Sequence, residues 1–215
     1  MARTTDPVCK LCRREGMKLY LKGTRCDSPK CPIERRQGVL PGMHGYRRPK
    51  LSEYGIRLRE KQRLKRFYGV FERQFRRYFA LASRSPENTG EVLLTIMERR
   101  LDNIVHRLGW ASSRKSARLL VAHGHITLNG RKSDVPSLLV RPGDVIAAKA
   151  KPKTLQSVKL NQQNNPQPIP DFLEMISNDP PEARMTRLPT RGDVDPRLTK
   201  DRELLEQLII DVCSR

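Results

Sequence analysis

Ser113-Arg-Lys-Ser-Ala-Arg-Leu-Leu-Val-Ala-His-Gly-His-Ile-Thr-Leu-Asn-Gly-Arg-Lys132 is the stretch from which the fold is read. A serine ahead of a run of helix formers predicts a capped helix over Arg114–His123, closed by Gly124. Residues 125–132 then predict a hairpin, because a tight two-residue turn needs positive φ at both positions and Asn129-Gly130 tolerates it. Upstream, Leu101, Ile104, Val105 and Leu108 recur at helical spacing and stop at Gly109. Downstream, Arg141-Pro-Gly-Asp144 predicts a second turn before a strand over Val145–Ala148. Arg114 and Arg118 stand one turn apart with Lys115 beside them, so the helix start offers cations and unpaired N–H groups together, a seat for phosphate. Arg131 and Lys132 add a second cationic edge, flanked by Asn129, His123 and His125. A histidine beside a glycine turn is also commonly satisfied by local hydrogen bonds.

The rest of the chain carries the same sign of charge. In 215 residues, 43 Lys and Arg stand against 23 Asp and Glu, a formal +20. The excess is +15 over residues 1–90, +5 over 91–150 and zero over 151–215. A solvated surface mixes its signs, so the asymmetry points to a face built for a polyanion. A membrane-surface helix would need its cations opposite a broad apolar stripe, and Arg57-Leu-Arg-Glu-Lys-Gln-Arg-Leu-Lys-Arg66, the densest basic run, has only Leu58 and Leu64. No basic-then-apolar leader and no run of eighteen apolar residues is present, so a soluble, intracellular protein without membrane partner is expected. Most of the circumference of that basic run is expected to face solvent or ligand, whereas Phe67, Phe71, Phe75, Tyr78 and Phe79 recur as a stripe expected to be core rather than a base-stacking platform.

Composition separates four further features. Residues 1–45 have little periodicity and need a staple other than an apolar core. Residues 46–98 read as helices broken by a loop at Ser83–Gly90. Residues 151–198, with eight of the sixteen prolines, read as irregular connection. Residues 203–212 are apolar enough to dock on a core built elsewhere.

The staple is sought in Cys9, Cys12, Cys26 and Cys31, spaced C-x2-C-x13-C-x4-C. Two thiolates three positions apart can turn around one cation, and a returning pair completes the tetrahedron that structural zinc prefers. Lys10, Arg13, Arg14, Lys22, Arg25 and Lys30 nearby favour thiolate. A [4Fe-4S] cluster on the same four cysteines is the alternative, since cysteine count does not separate it from Zn2+, and two disulfides are a third reading that a reducing compartment disfavours. Cys213 reads as a small buried apolar residue.

With S-R-K-S-A-R at 113–118, G-H-I-T-L-N-G at 124–130 and R-P-G-D at 141–144, residues 99–148 resemble the S-four RNA-binding domain. C-P-I-E-R-R at 31–36, P-G-M-H-G at 41–45, R-L-R-E-K-Q at 57–62, Y-G-V-F-E-R-Q-F at 68–75 and E-Q-L-I-I-D-V-C-S-R at 206–215 extend the resemblance to the family of bacterial-type small-subunit ribosomal proteins that carry this domain. It thins between about 150 and 200. The resemblance implies an α+β fold with a metal-stapled N-terminal segment at 1–45, a helical domain at 46–98 completed by 176–215, and an inserted S-four domain with its linker at 99–175. It implies a primary binder of ribosomal RNA that joins assembly early at a multi-helix junction of the 5′ domain. It further implies a neighbour in the fifth small-subunit protein, a place beside the mRNA entry path, an influence on decoding accuracy, and a cytoplasmic location in a bacterial or organellar small subunit. No small-molecule substrate is implied. The cations expected to touch RNA are Arg13, Arg14, Arg35, Arg36, Arg47, Arg48, Lys50, Arg57, Arg59, Lys61, Arg63, Lys65 and Arg66 with His44, and in the S-four element Arg114, Lys115, Arg118, His123, His125, Asn129, Arg131 and Lys132.

Two rivals use the same domain. A pseudouridine synthase-like RNA-modifying enzyme would place its catalytic aspartate in a triplet such as Arg100-Leu-Asp102, but here the triplet lies inside the S-four element and residues 151–215 leave no room for a catalytic domain. An RNA chaperone would be shorter and lack the four cysteines. No phosphate loop, H-E-x-x-H or G-x-S-x-G is present, so no catalytic residue and no enzymatic activity is expected.

Overall fold

The computed structural model describes residues 6–36, 38–46, 50–164, 168–199 and 204–214. The chain forms two compact units, Met1–Leu93 with Asp195–Arg215, and Leu94–Val194.

In the first unit α1 (Cys9–Glu15) ends at Gly16, whose φ of +71° gives the left-handed stop. A short 3-10 turn over Gly23–Cys26 leads to α2 (Pro32–Arg35), which opens on proline where a missing N–H costs nothing. Val8, Met17, Leu19 and Tyr20 are buried beside the cysteines, so this segment owns a small apolar centre that its weak periodicity did not reveal. The long α3 (Glu53–Phe67) is capped by Ser52, whose Oγ accepts from the Gly55 N–H at 3.2 Å. Gly69 at φ +65° turns the chain into α4 (Glu72–Ala82), and α5 (Thr89–Glu98) follows. The aromatic stripe packs as expected at Phe67, Phe75 and Tyr78, but Phe71 is exposed because it caps α4 at the turn instead of lying within a helix.

The second unit opens with the end of α5 and α6 (Leu101–Arg107), stopped by Gly109 at φ +73°. Ser113 caps α7 (Arg114–Ala122) through the Ser116 N–H at 3.2 Å. β1 (Ile126–Leu128) and β2 (Arg131–Ser133) form the hairpin, with Asn129 at φ +50° and Gly130 at +76°. β3 (Val145–Ala148) follows the Arg141–Asp144 turn, where the Asp144 carboxylate accepts from the Arg141 N–H at 2.8 Å. The region expected to be irregular then forms α8 (Pro152–Asn164) and two strands, β4 (Leu173–Asn178) and β5 (Pro181–Met185). The antiparallel sheet runs β2-β1-β3-β5-β4, with β3 at its centre and Ile146 opposite Ala183 where β5 lies between β3 and the edge strand β4. Leu101, Ile104, Val105, Trp110, Val121, Ile126, Ile146, Val158, Phe172, Ala183 and Met185 close one core.

The boundary drawn at 175/176 is therefore moved: β4 and β5 belong to the sheet of the second unit, and the chain rejoins the first only at Asp195. Ala183 and Met185 alternate inward on so short a strand that period-two patterning is barely visible, and Pro181 is tolerated because it opens its strand. Back in the first unit, α9 (Pro196–Thr199) and α10 (Glu206–Cys213) complete the helical core, with α10 along α3 and Leu198 and Ile209 buried. Among the described residues no helix is long and apolar enough to cross a membrane.

Candidate nucleic-acid interface

The cations of the second unit fall into two sets. Arg114 is only 8% exposed and its Nε donates to Asn103 Oδ1 at 2.8 Å, while Asn103 donates to the buried Glu98 carboxylate at 2.6 Å. Arg118 pairs with Asp102 at 3.1 Å, and Asp102 also receives Arg100 at 2.6 Å. Burying a charge is tolerated only when it is paired and hydrogen-bonded, and this network does both. The expectation that Arg114 and Arg118 project together towards phosphate is thus corrected: their guanidiniums hold α6 to α7. Asn129 is likewise structural, donating to Asp144 at 2.8 Å and accepting from the Val145 N–H at 2.8 Å. Lys115, His123, Arg131 and Lys132 remain exposed. The rings of His123 and His125 stack at 6.2 Å, and His125 Nδ1 meets Thr154 Oγ1 at 3.0 Å.

In the first unit α3 behaves in the same way. Lys61 and Lys65 donate to Glu72 at 2.6 and 3.0 Å; Arg59, at 3.3 Å, and Arg66 both pair with Glu15; Arg57 pairs with Asp211 at 3.6 Å. Arg63, almost fully buried, pairs with Glu60 at 3.3 Å and donates to the Leu198 carbonyl. The basic run is a strut and not an open cationic face, because α1, α4, α10 and the segment around Leu198 each bring a carboxylate or carbonyl to it. Burial would raise the Glu72 carboxyl, but the hydrogen bonds from Lys61 and Lys65 prevail and hold it at about 2. Glu15 goes the other way: burial pushes it up despite Arg66 and Arg59. Arg13 is tied to the loop carbonyls of Val39 and Leu40 at 3.1 and 2.9 Å. Arg14, Arg35, Arg36, His44 and Lys50 are exposed; Arg47 and Arg48 lie outside the described residues.

Cys9, Cys12, Cys26 and Cys31 are free thiols lining a single small cavity, and the Lys22 N–H donates to Cys26 Sγ at 3.4 Å. Burial pushes the Cys12 thiol up to about 12. Among the described residues no group of three or more such side chains stands drawn together as a finished metal shell.

Residues 3–98 match the family model described as the ribosomal protein S4/S9 N-terminal domain, and residues 99–146 match that of the S4 domain. Relatives called small ribosomal subunit protein uS4 include one from Thermoanaerobacter sp. (strain X514), 50% identical over the full length of both chains, and one from Pelotomaculum thermopropionicum, also 50% identical over both full lengths. A third, from Kosmotoga olearia, is 53% identical over 91% of this chain and 93% of its own. The chain belongs to the uS4 family.

In this uS4-family chain the junction between the two family matches falls at the end of α5, and the second match stops inside β3 although the sheet continues to Met185. The region beyond brings outward cations that the sequence reading passed over. The Lys149 N–H donates to the His125 carbonyl at 2.8 Å, which sets the half-buried Lys149 beside the hairpin, and Lys151 and Lys153 after it are exposed; the alternation Lys-Ala-Lys-Pro-Lys at 149–153 was their signal. On α4, Arg73 and Arg77 are exposed, as is Arg84 after it, and none of the three was among the residues expected to touch RNA. Asp102, the residue on which an RNA-modifying enzyme would depend, is 4% exposed and engaged by two guanidiniums, so it has no access to a substrate base.

Proposed function

We propose that this chain is a structural constituent of the small ribosomal subunit, not an enzyme, and that it binds ribosomal RNA by neutralising backbone phosphates at a helix junction of the 5′ domain. The observation that carries this reading is the sorting of the cations: after the paired arginines are removed, Arg14, Arg35, Arg36, Lys50, Arg73 and Arg77 of the first unit and Lys115, Arg131 and Lys132 of the second stay exposed. Membership of the uS4 family supplies the setting. Duplex RNA hides its base edges in a deep narrow groove, so phosphate and 2′-hydroxyl contacts are the route open to such residues. Early joining in assembly, a border with the fifth small-subunit protein, proximity to the mRNA entry path and an influence on decoding accuracy are the finer parts of the proposal. Crosslinking in cells should recover small-subunit RNA from the 5′ domain. Equal affinity of the purified chain for that junction and for random duplex would overturn the reading.

Cys9, Cys12, Cys26 and Cys31 would hold a single structural Zn2+. Four cysteines suit the tetrahedral thiolate set that structural zinc prefers, and all four line one cavity. A bound cation would offset the burial that raises the Cys12 and Cys26 thiols and would tie α1 to α2. Elemental analysis giving one zinc per chain supports this; a visible absorption band with four irons would replace it by the cluster.

A further inference from the structure

Between α1, α2 and α3 of the first unit lies a cavity of about 400 Å³. Ile33, Leu40, Leu51 and Ile56 line it together with Arg14, Arg36 and Arg59. One carboxylate, Glu15, lines it, and that group is occupied by Arg59 and Arg66. Arg14 and Arg36 are exposed, and among the described residues no side-chain partner is found for Arg36. Two further arginines, Arg13 and Arg63, also line the space, so the cavity is net positive even after Glu15 is counted.

A concave, positive site with aliphatic side chains in its lining selects a ligand with a flat uncharged face and an attached anion. A surface meant only for phosphates of a duplex would need neither depth nor an aliphatic lining. We infer that this cavity receives one unstacked nucleotide of the bound RNA, its base against Ile33, Leu40 and Ile56 and its phosphate at Arg14 and Arg36. This rests on the proposal that the chain binds RNA and adds that it reads an extruded base, the form in which RNA exposes its edges and faces to protein. The apolar part of the lining is aliphatic, so the expected selectivity is for an unpaired base over a paired one, not for one base type.

The test uses the full chain and two RNAs of equal length, a perfect duplex and the same duplex with a single bulged 2-aminopurine. The bulged RNA is expected to bind about 10-fold more tightly, about 1.4 kcal/mol, with a change in 2-aminopurine fluorescence on binding. Ile56→Gln makes the lining polar without changing charge or adding an aromatic face and should reduce the preference to under about 2-fold, leaving the salt slope of duplex binding as it was. Leu51→Gln, at another exposed position lining the same cavity, gives an independent check. Equal affinity for the two RNAs, or a preference that survives both substitutions, overturns the inference while leaving RNA binding intact. Failure to bind either RNA would instead strike the broader proposal and this one with it.

Discussion

Arg114 and Lys115 are neighbours in the chain with opposite fates. Arg114 turns inward to Asn103, and Lys115 stays in solvent. Arg114→Ala is therefore expected to destabilise the second unit by about 1–3 kcal/mol, because the buried Asn103 Oδ1 loses its donor. Lys115→Ala should leave stability within about 0.5 kcal/mol and flatten the log–log salt dependence of RNA binding by about one. Urea melts and titrations at several salt concentrations separate the two; an unchanged melt for Arg114→Ala would return it to the interface. Glu72 gives a pH signature. Its carboxyl sits at about 2 in the folded chain, below its ordinary 4.5, so its contribution is present above that ordinary value and lost as pH falls towards 2. The carboxylate is about one-third exposed, and screening limits the gain to about 1 kcal/mol. Glu72→Gln should lower the melting temperature at neutral pH, and the difference from the parent should shrink steadily below about pH 4.5.

Elements were legible wherever local chemistry specifies them. The Ser113 cap, the Gly109 and Gly124 stops and the Asn129-Gly130 turn all appear where the residues place them, since capping and φ preference act within a few residues. Helical spacing alone misread Phe71, because Gly69 interrupts the helix that the spacing assumed. Phe75→Ala, at a fully buried site, is expected to cost about 3–5 kcal/mol, whereas Phe71→Ala should cost under about 1 kcal/mol. Denaturant midpoints check both, and equal losses would mean that α4 packs through its first turn as well. β4 and β5 were not legible at all. β4 pairs only with β5, across the Asp179-Pro180 turn, and β5 is fixed in the sheet by β3, more than thirty residues upstream; the prolines around them hid the hairpin and nothing local announces the longer pairing.

At the scale of the whole molecule, two units share one chain, and the metal proposal concerns only the first. Stripping zinc with a strong chelator, or Cys26→Ala, is expected to open residues 6–46 to protease while amide protection of the second unit persists. Loss of protection in both together would contradict the division. The imbalance of charge, its confinement to the first 150 residues, the spacing of the four cysteines and the helix–helix–hairpin module were all determined by the sequence by itself, because each is a matter of composition or of contacts a few residues apart. Which cations face outward was decided only by the tertiary structure. Glu15 reaches Arg66 across 51 positions and Leu198 reaches Arg63 across 135. A buried guanidinium must find its partner wherever the fold delivers one, so a run of basic residues read along the chain cannot distinguish a strut from a binding face.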